Sequence, residues 1–582
     1  MTGPACPDTQ TQLVVEPQGD QTPMTHPTRL LAVVLLGLAV QAPLAPAANP
    51  IDLSLLVAED HPCTWPSGFP MFQLKHYRRI GALTPYNIDV LTIDGNTGTQ
   101  IDVPPHSIPR PGSGLENEGP LGTIFTEKVA AWQYGGEAVV IDVSELLDTT
   151  ENGVSSLIQP AHVLAWEKAH RKLRFGDVVL FKSGYTDKYY KPFPAGRRFL
   201  ADPVQGTAPA WPDPHPDTMT LLGQRGVKHV GCDSPSMGPL PDLAEPTHIA
   251  GLKFGMIFTE GVTRLKQVRP GSFYCVLGPR HAKGMYGEGR ALAIGPGKLA
   301  NRLIASAKAK RVVDLSVIND SQLPITWTGP GIGNHRIPYI KVDFLYAKNL
   351  DLQHHTHMMD AQAGTHLVPP AYALPTKDFD NDDYSDEVQG WLKEYQQRFG
   401  RRRTSTVTTE QVPLKQTCGE ARVIDVRGLV GSTKRDQWPS SPQITVPLVR
   451  AYEKAHGALR SGDVVLFRTG HVKRTFRELP DGSACVSDPL NGKIEGWPAV
   501  TPDVIDYLDD RGIRCVGIDA PSIGGVDEKN ALMTYWALGS RGMVAVEFLQ
   551  NLEKLPGKAY FLFAAIPIRG CHGGPGRAIA LY

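Results

Sequence analysis

Asn96-Thr-Gly-Thr-Gln100-Ile-Asp102-Val-Pro-Pro-His106 and Gln362-Ala-Gly-Thr-His366-Leu-Val368-Pro-Pro-Ala-Tyr372 are one motif written twice. Each copy carries a Gly-Thr pair and then Pro-Pro. Around them stand Asn, Gln, Asp and His in the first copy, all able to bind metal or hydrogen-bond, and Gln, His, Val and Tyr at the same places in the second. The repeat extends well beyond the motif. Ile51-Asp-Leu-Ser54 returns as Val313-Asp-Leu-Ser316, and Thr64-Trp65 as Thr326-Trp327. Gly136-Glu-Ala-Val-Val-Ile-Asp142 returns as Gly419-Glu-Ala-Arg-Val-Ile-Asp425, and Trp166-Glu-Lys-Ala-His170 as Tyr452-Glu-Lys-Ala-His456. Gly176–Phe181 matches Gly462–Phe467, Val230–Ser236 matches Val516–Ser522, and Gly289-Arg-Ala291 matches Gly576-Arg-Ala578. So long a period is not a solenoid repeat; it describes two whole domains, each of a size that one core can support. The domains are read as 50–299 and 311–582, with the seam in the Ala/Lys-rich stretch near Ala300 to Lys310.

The motif resembles the H-x-G-T-H-x-D-x-P-x-H signature of the cyclase or kynurenine formamidase-like family of metal-dependent hydrolases. The resemblance implies an α/β chain of two tandem homologous domains, each a β-rich core flanked by helices, of the swivelling β/β/α type. It also implies a further pair of ligands, a His and a Glu twelve residues later. In the first half His248 and Glu260 have that spacing, so Asp102, His106, His248 and Glu260 are the implied metal ligands, while Asn96 and Gln100 stand where the family has His. Two imidazoles and two carboxylates suit Zn²⁺, with Mn²⁺ as the competitor because half the donors are oxygen. Asn96 and Gln100 keep hydrogen-bonding capacity for a water or a substrate carbonyl. The same parity of residues 96, 100 and 102 predicts one strand face, Pro104-Pro105 predicts the end of that strand's pairing, and Gly98 a close backbone approach.

The second half departs further. Gln362, His366 and Glu547 survive, but Val368 replaces the Asp that, as the resemblance implies, bridges two metals in the family, and Tyr372 and Tyr535 replace the two later His. Valine cannot ligate, so a two-metal site of the family type is excluded, and Val368, Tyr372 and Tyr535 are expected to fill the corresponding space. Gln362, His366 and Glu547 form a constellation able to act as a base with an orienting carboxylate. Upstream, His354-His-Thr-His357 places His355 and His357 on one face of a strand; such a cluster is either structural or an annex of the site.

Short strands alternate with helices: Gly136–Val143 and Gly176–Phe181 read as strands, with 160–173 as a helix between them. The acidic run Asp378–Glu387 and Arg401–Arg403 bracket a polar insert with a surface helix. With 59 basic and 59 acidic residues the chain has no charge excess that calls for a nucleic-acid partner. Arg29, the apolar run Leu30–Val40 and Ala45-Pro-Ala47 read as a secretory signal peptide starting at Met24, within an N-terminal extension covering 1–47. The apolar run is too short to span a bilayer as a helix. Cleavage there leaves seven scattered cysteines with no C-x-x-C spacing and no legible disulfide framework.

The leading expectation is thus an exported metal-dependent hydrolase that opens an amide or lactone bond, arylformamidase-like. His106, Glu260 and Gln100, with His366 and Glu547 in the second half, are its catalytic candidates. The alternatives are a binding protein with eroded metal sites and a dienelactone-type hydrolase using the second half. The implied partner is a small molecule (aryl-formyl amides, isatin-like rings and dienelactones all fit such pockets), and the fused halves are expected to form an intramolecular pseudo-dimer.

Overall fold

The computed structural model describes residues 49–328, 337–345 and 353–582. The leader expected at Met24–Ala47 lies outside the described residues.

The first half builds a nine-stranded mixed sheet in the order Ile51–Asp52, Arg290–Ile294, Phe273–Leu277, Gly135–Asp142, Asp177–Lys182, His229–Cys232, Ile257–Glu260, Gln100–Asp102 and Tyr286–Glu288. Its centre is parallel, running from Gly135–Asp142 through Ile257–Glu260. Central strands such as Asp177–Lys182 are buried along nearly their whole length, which is why Val178-Val-Leu-Phe181 is continuously apolar rather than alternating. The two ends of the sheet are one stretch of chain, because Tyr286–Glu288 runs through Gly289 into Arg290–Ile294. The second half repeats this order in eight strands. Its last strand, Gly574–Leu581, pairs with both His366–Val368 and Tyr560–Ala565 and so closes the sheet on itself. Both halves are therefore mixed sheets flanked by helices, as expected. The helices Pro160–Ala169 and Pro216–Gln224 each start on proline at the first turn, where a missing N–H costs nothing. The seam is itself a helix, Lys298–Lys308, and the insert carries another, Asp386–Phe399.

The repeated Gly-Thr has one purpose in both halves. Gly98 and Gly364 hold φ of 70° and 61°, and a Cβ on either would stand 2.9 Å from Val57 Cγ2 or 2.0 Å from Asn319 Oδ1. The following Thr99 donates to Gly261 O and accepts from Leu55 N, while Thr365 does the same with Phe548 O and Val317 N. These bonds pin the motif strand to the loop that follows its neighbour.

A third sheet draws on both halves. Its order is Ile340–Leu345, Gln353–Asp360, Ile88–Asp94 and Gln73–Arg78, two strands from each. At its centre Thr92 pairs with Met358, each four residues before the first position of its own motif. Val90 pairs with Asp360 and Asp94 with Thr356, so the register is the same read from either half. Among the described residues all seven cysteines are free and buried, and no helix is long and apolar enough to cross a membrane.

Candidate metal centre and the second-half cavity

The first-half site is assembled where Gln100–Asp102 lies between Ile257–Glu260 and Tyr286–Glu288. The strand begins only at Gln100; Asn96 lies in the preceding turn, so the shared face holds for Gln100 and Asp102 and not for Asn96. Asn96 still reaches Gln100, whose Nε2 donates to Asn96 Oδ1 at 3.1 Å. Pro104–His106 forms one 3-10 turn that carries His106 back over Asp102. His248 comes from the helix Ala244–Leu252. Its Nδ1 is 2.7 Å from Ala244 O, which turns Nε2 towards Asp102 Oδ2 at 3.4 Å and Glu260 Oε1 at 3.5 Å. The rings of His106 and His248 meet edge to face with centroids 5.2 Å apart. Ligand atoms of Asp102, His106 and His248 all lie within 4.8 Å of one another.

Asp102 is fully buried, and neither of its oxygens makes a hydrogen bond among the described residues; His106 Nδ1 is likewise bare. Burial, reinforced by the Glu260 charge, pushes the Asp102 carboxyl up to about 7. Burial opposes a charge on His248, yet the two facing carboxylates outweigh it and hold that imidazole well above its ordinary value. Burial, together with His248, His354 and His355, drives His106 well below it. A buried carboxylate with open lone pairs beside two imidazoles fits a divalent cation. Glu260 is the least free of the four implied ligands. Its Oε1 accepts from the Met237 N–H and its Oε2 from Gln100 Nε2.

The second half keeps the hydrogen bonds and drops the ligands. His366 pairs with Glu547 as Gln100 does with Glu260, and Val368 faces Ala545 as Asp102 faces Phe258. His366 Nε2 lies 3.1 Å from Glu547 Oε2, the position of the Gln100 bond, and the Tyr535 hydroxyl donates to Glu547 Oε1 at 2.7 Å, where His248 stands in the first half. Ile523 N–H donates to the same oxygen, as Met237 does to Glu260. Gln362 donates through Nε2 to His572 O at 3.1 Å. Val368 is core. The tyrosines do not fill the space as expected. Tyr372 stacks on Tyr86 at 4.9 Å and meets Tyr535 edge-on at 5.2 Å, and these rings line a cavity of about 320 Å³ with Trp327, His366 and Glu547. Over Asn96 and Gln100 in the first half, Pro62, Trp65, Phe199, Leu200 and Pro235 leave only about 10 Å³.

Each site also borrows from the other half. His354 of the second half packs on Phe69 and on Tyr286 and lies 6.4 Å from His106, while Tyr86 of the first half stacks on Tyr372. His355 and His357 do not join His366. They are buried against Tyr286 and His281, at ring distances of 4.4 and 3.8 Å, because their strand pairs with Ile88–Asp94. Tyr86, Tyr286 and Met237 were missed in the sequence. Met237 directly follows the repeated Asp-x-Pro-Ser block, and Tyr286 stands just ahead of the repeated Gly-Arg-Ala, so both carried a local signal.

Residues 51–239 and 313–524 each match the Cyclase (Putative cyclase) family, and the chain belongs to that family. An isatin hydrolase of Roseibium aggregatum is 33% identical over 144 residues, covering 24% of this chain and 52% of the relative, so the match spans about half that protein's length. A kynurenine formamidase of Salinibacter ruber is 27% identical over 237 residues, covering 39% of this chain and 89% of the relative. Among solved structures, an isatin hydrolase bound to the product analogue thioisatinate is similar with a TM-score of 0.36 and 20% identity, over 48% of this chain and 95% of that one.

Proposed function

We propose that the chain is an exported metal-dependent hydrolase that opens an amide or lactone bond, arylformamidase-like, with a divalent ion held by its first half. The observation that carries this reading is Asp102, a buried carboxylate with both oxygens open between two imidazoles. Asp102, His106 and His248 would hold the ion, with Glu260 beside them; zinc suits the nitrogen-rich set and manganese competes. When bound, such an ion lowers the pKa of a water to near neutrality and polarises an acyl carbonyl. The chain's own part is to orient and to move protons. Gln100 and the Met237 N–H fix the Glu260 carboxylate, whose Oε1 faces His248 Nε2 and is the group placed to take a proton. The family's activities, including those of the isatin hydrolase and kynurenine formamidase relatives, point to cyclic or aryl amides as the first substrates to try. The shared four-stranded sheet and its common register support an intramolecular pseudo-dimer. The leader at Met24–Ala47 supports export, read by a mature N-terminus near Ala48.

A second reading has its own observation. The open cavity of about 320 Å³ belongs to the half without the Asp and His ligands, while the pocket over Asn96 and Gln100 in the other half has room for about one water at 10 Å³. In that reading the second half binds a small aromatic molecule without a metal, or hydrolyses a lactone with His366 and Glu547. One experiment separates them: an aryl formamide, isatin and a dienelactone are assayed with and without chelator, in wild type, His248→Ala and His366→Ala. The hydrolase reading expects chelator and His248→Ala each to remove turnover while His366→Ala retains it. Turnover that ignores chelator and falls in His366→Ala would transfer the chemistry to the second half, and binding without turnover would leave a binding protein.

A further inference from the structure

A second set of metal-type donors stands apart from the Asp102 cluster and borders the second-half cavity, where Gln362 donates to His572 O. Asp89, in the strand Ile88–Asp94, lies opposite His76 in the strand Gln73–Arg78. His572, in the turn between Tyr560–Ala565 and Gly574–Leu581 of the other half, reaches the same carboxylate. His76 Nδ1 is 2.8 Å from Asp89 Oδ1, and His572 Nδ1 is 2.9 Å from Oδ2, which also accepts the His572 backbone N–H at 2.7 Å. The donor atoms all lie within 4.8 Å of one another. Asp89 is fully buried, the His572 side chain is 12% exposed, and that of His76 is 41% exposed, so the carboxylate is held rigidly while solvent reaches the cluster from the His76 side. Arg79 Nη1 is 4.0 Å from Asp89 Oδ1 and 3.4 Å from His572 Nδ1, and its half-exposed guanidinium supplies positive charge to the buried carboxylate.

We propose that His76, Asp89 and His572 form a second divalent-cation site, zinc by its donors, that bridges the two halves. Two imidazoles and a carboxylate are a recurrent three-ligand zinc set, with a water free to complete the tetrahedron. Bonds of about 2.0–2.2 Å in a tetrahedron place ligand atoms about 3.4 Å apart, so the present hydrogen bonds need open by only about half an ångström. Each imidazole then binds through its nitrogen, the protons now shared with Asp89 leave to solvent, and Arg79 swings outward along its exposed side. The ion replaces Arg79 as the counter-charge of Asp89 and ties the hairpin of one half to the C-terminal turn of the other. The inference does not rest on the catalytic reading, because no residue is shared with the Asp102 cluster.

Arg79 separates this proposal from a purely structural cluster. If Asp89 merely clamps two imidazoles, the guanidinium helps it; if the cluster binds zinc, the guanidinium competes. Chelator-stripped full-length protein would be titrated with zinc by calorimetry, and its metal content measured after gel filtration. His76→Ala, at a half-exposed position, is expected to bind one zinc fewer per chain than wild type, and His248→Ala to lose a different one, so that the double variant binds none. Arg79→Ala is expected to tighten zinc at the bridging site about tenfold, a gain that misfolding cannot produce. Equal zinc content in wild type and His76→Ala, or affinity unchanged or weakened in Arg79→Ala, would overturn the proposal. Loss of zinc in His76→Ala alone, with none lost in His248→Ala, would uphold this site and count against the first-half centre.

Discussion

His248→Ala is expected to lose the first-half ion and at least about 100-fold in kcat/KM, the scale on which disturbing a metal's ligand shell acts. The helix fixes His248 through Ala244 O, so its Nε2 is aimed between Asp102 and Glu260 and has no other work. No neighbour can take its place: His354 is committed to Tyr286 and lies 6.4 Å from the His106 ring. Removing the imidazole leaves two buried carboxylates facing each other across a gap. Asp102, already pushed up to about 7 by burial and by Glu260, then holds its proton more tightly and competes harder with any cation. His366→Ala breaks a comparable bond to Glu547 in the other half and is expected to leave the first-half ion in place. Metal content after gel filtration and steady-state kinetics check both variants, and a His248→Ala protein with its first-half ion intact would remove Asp102, His106 and His248 as a centre.

Much of this was legible because the chain repeats itself and the repeats are physical units. Gly-Thr recurs because a left-handed residue and a hydroxyl between two backbones pin the motif strand in each half. The interval from His248 to Glu260 carries a helix residue and a strand residue onto one carboxylate, and Tyr535 to Glu547 repeats it with a phenol. What could not be read is what the halves do to each other. The strands 73–78, 88–94, 340–345 and 353–360 carry no repeated block, so nothing along the chain announced that they pair across the halves and turn His355 and His357 towards Tyr286 and His281. The tyrosines misled for a related reason. Size alone suggested that Tyr372 and Tyr535 would fill their site, but Tyr535 is drawn to Glu547 and Tyr372 onto Tyr86 of the other half, which holds the rings at the walls. In the first half the closure comes from Phe199 and Leu200, residues far from the motif in sequence.

Asp314→Ala is expected to destabilise the protein by about 3–5 kcal/mol, more than any single change in the two sites, since it strips the partner from a buried arginine. The repeated Asp-Leu-Ser and Gly-Arg-Ala blocks are two ends of one ion pair. Arg290 donates to Asp52 at 2.7 and 3.1 Å, and Arg577 to Asp314 at 2.6 and 3.1 Å. The copies differ in surroundings. The Arg577 side chain is 1% exposed and lies over the Tyr134 ring at 4.0 Å, and Asp314 also faces Arg280 at 3.3 Å, both of these neighbours coming from the first half. Asp52 is 25% exposed against 16% for Asp314 and has one arginine partner at its carboxylate, so Asp52→Ala should cost less. Burial alone would raise the Asp314 carboxyl, but Arg577 and Arg280 outweigh it and hold it below its ordinary value. A depressed folded pKa contributes stability above the unfolded carboxylate value of about 3.9, and that contribution is lost as pH falls below it. The gap between wild type and Asp314→Ala in urea denaturation should therefore be full at pH 7 and narrow below about pH 4. Equal losses in Asp52→Ala and Asp314→Ala, or a gap that does not narrow in acid, would show that Asp314 does not neutralise Arg577 in the way its surroundings imply.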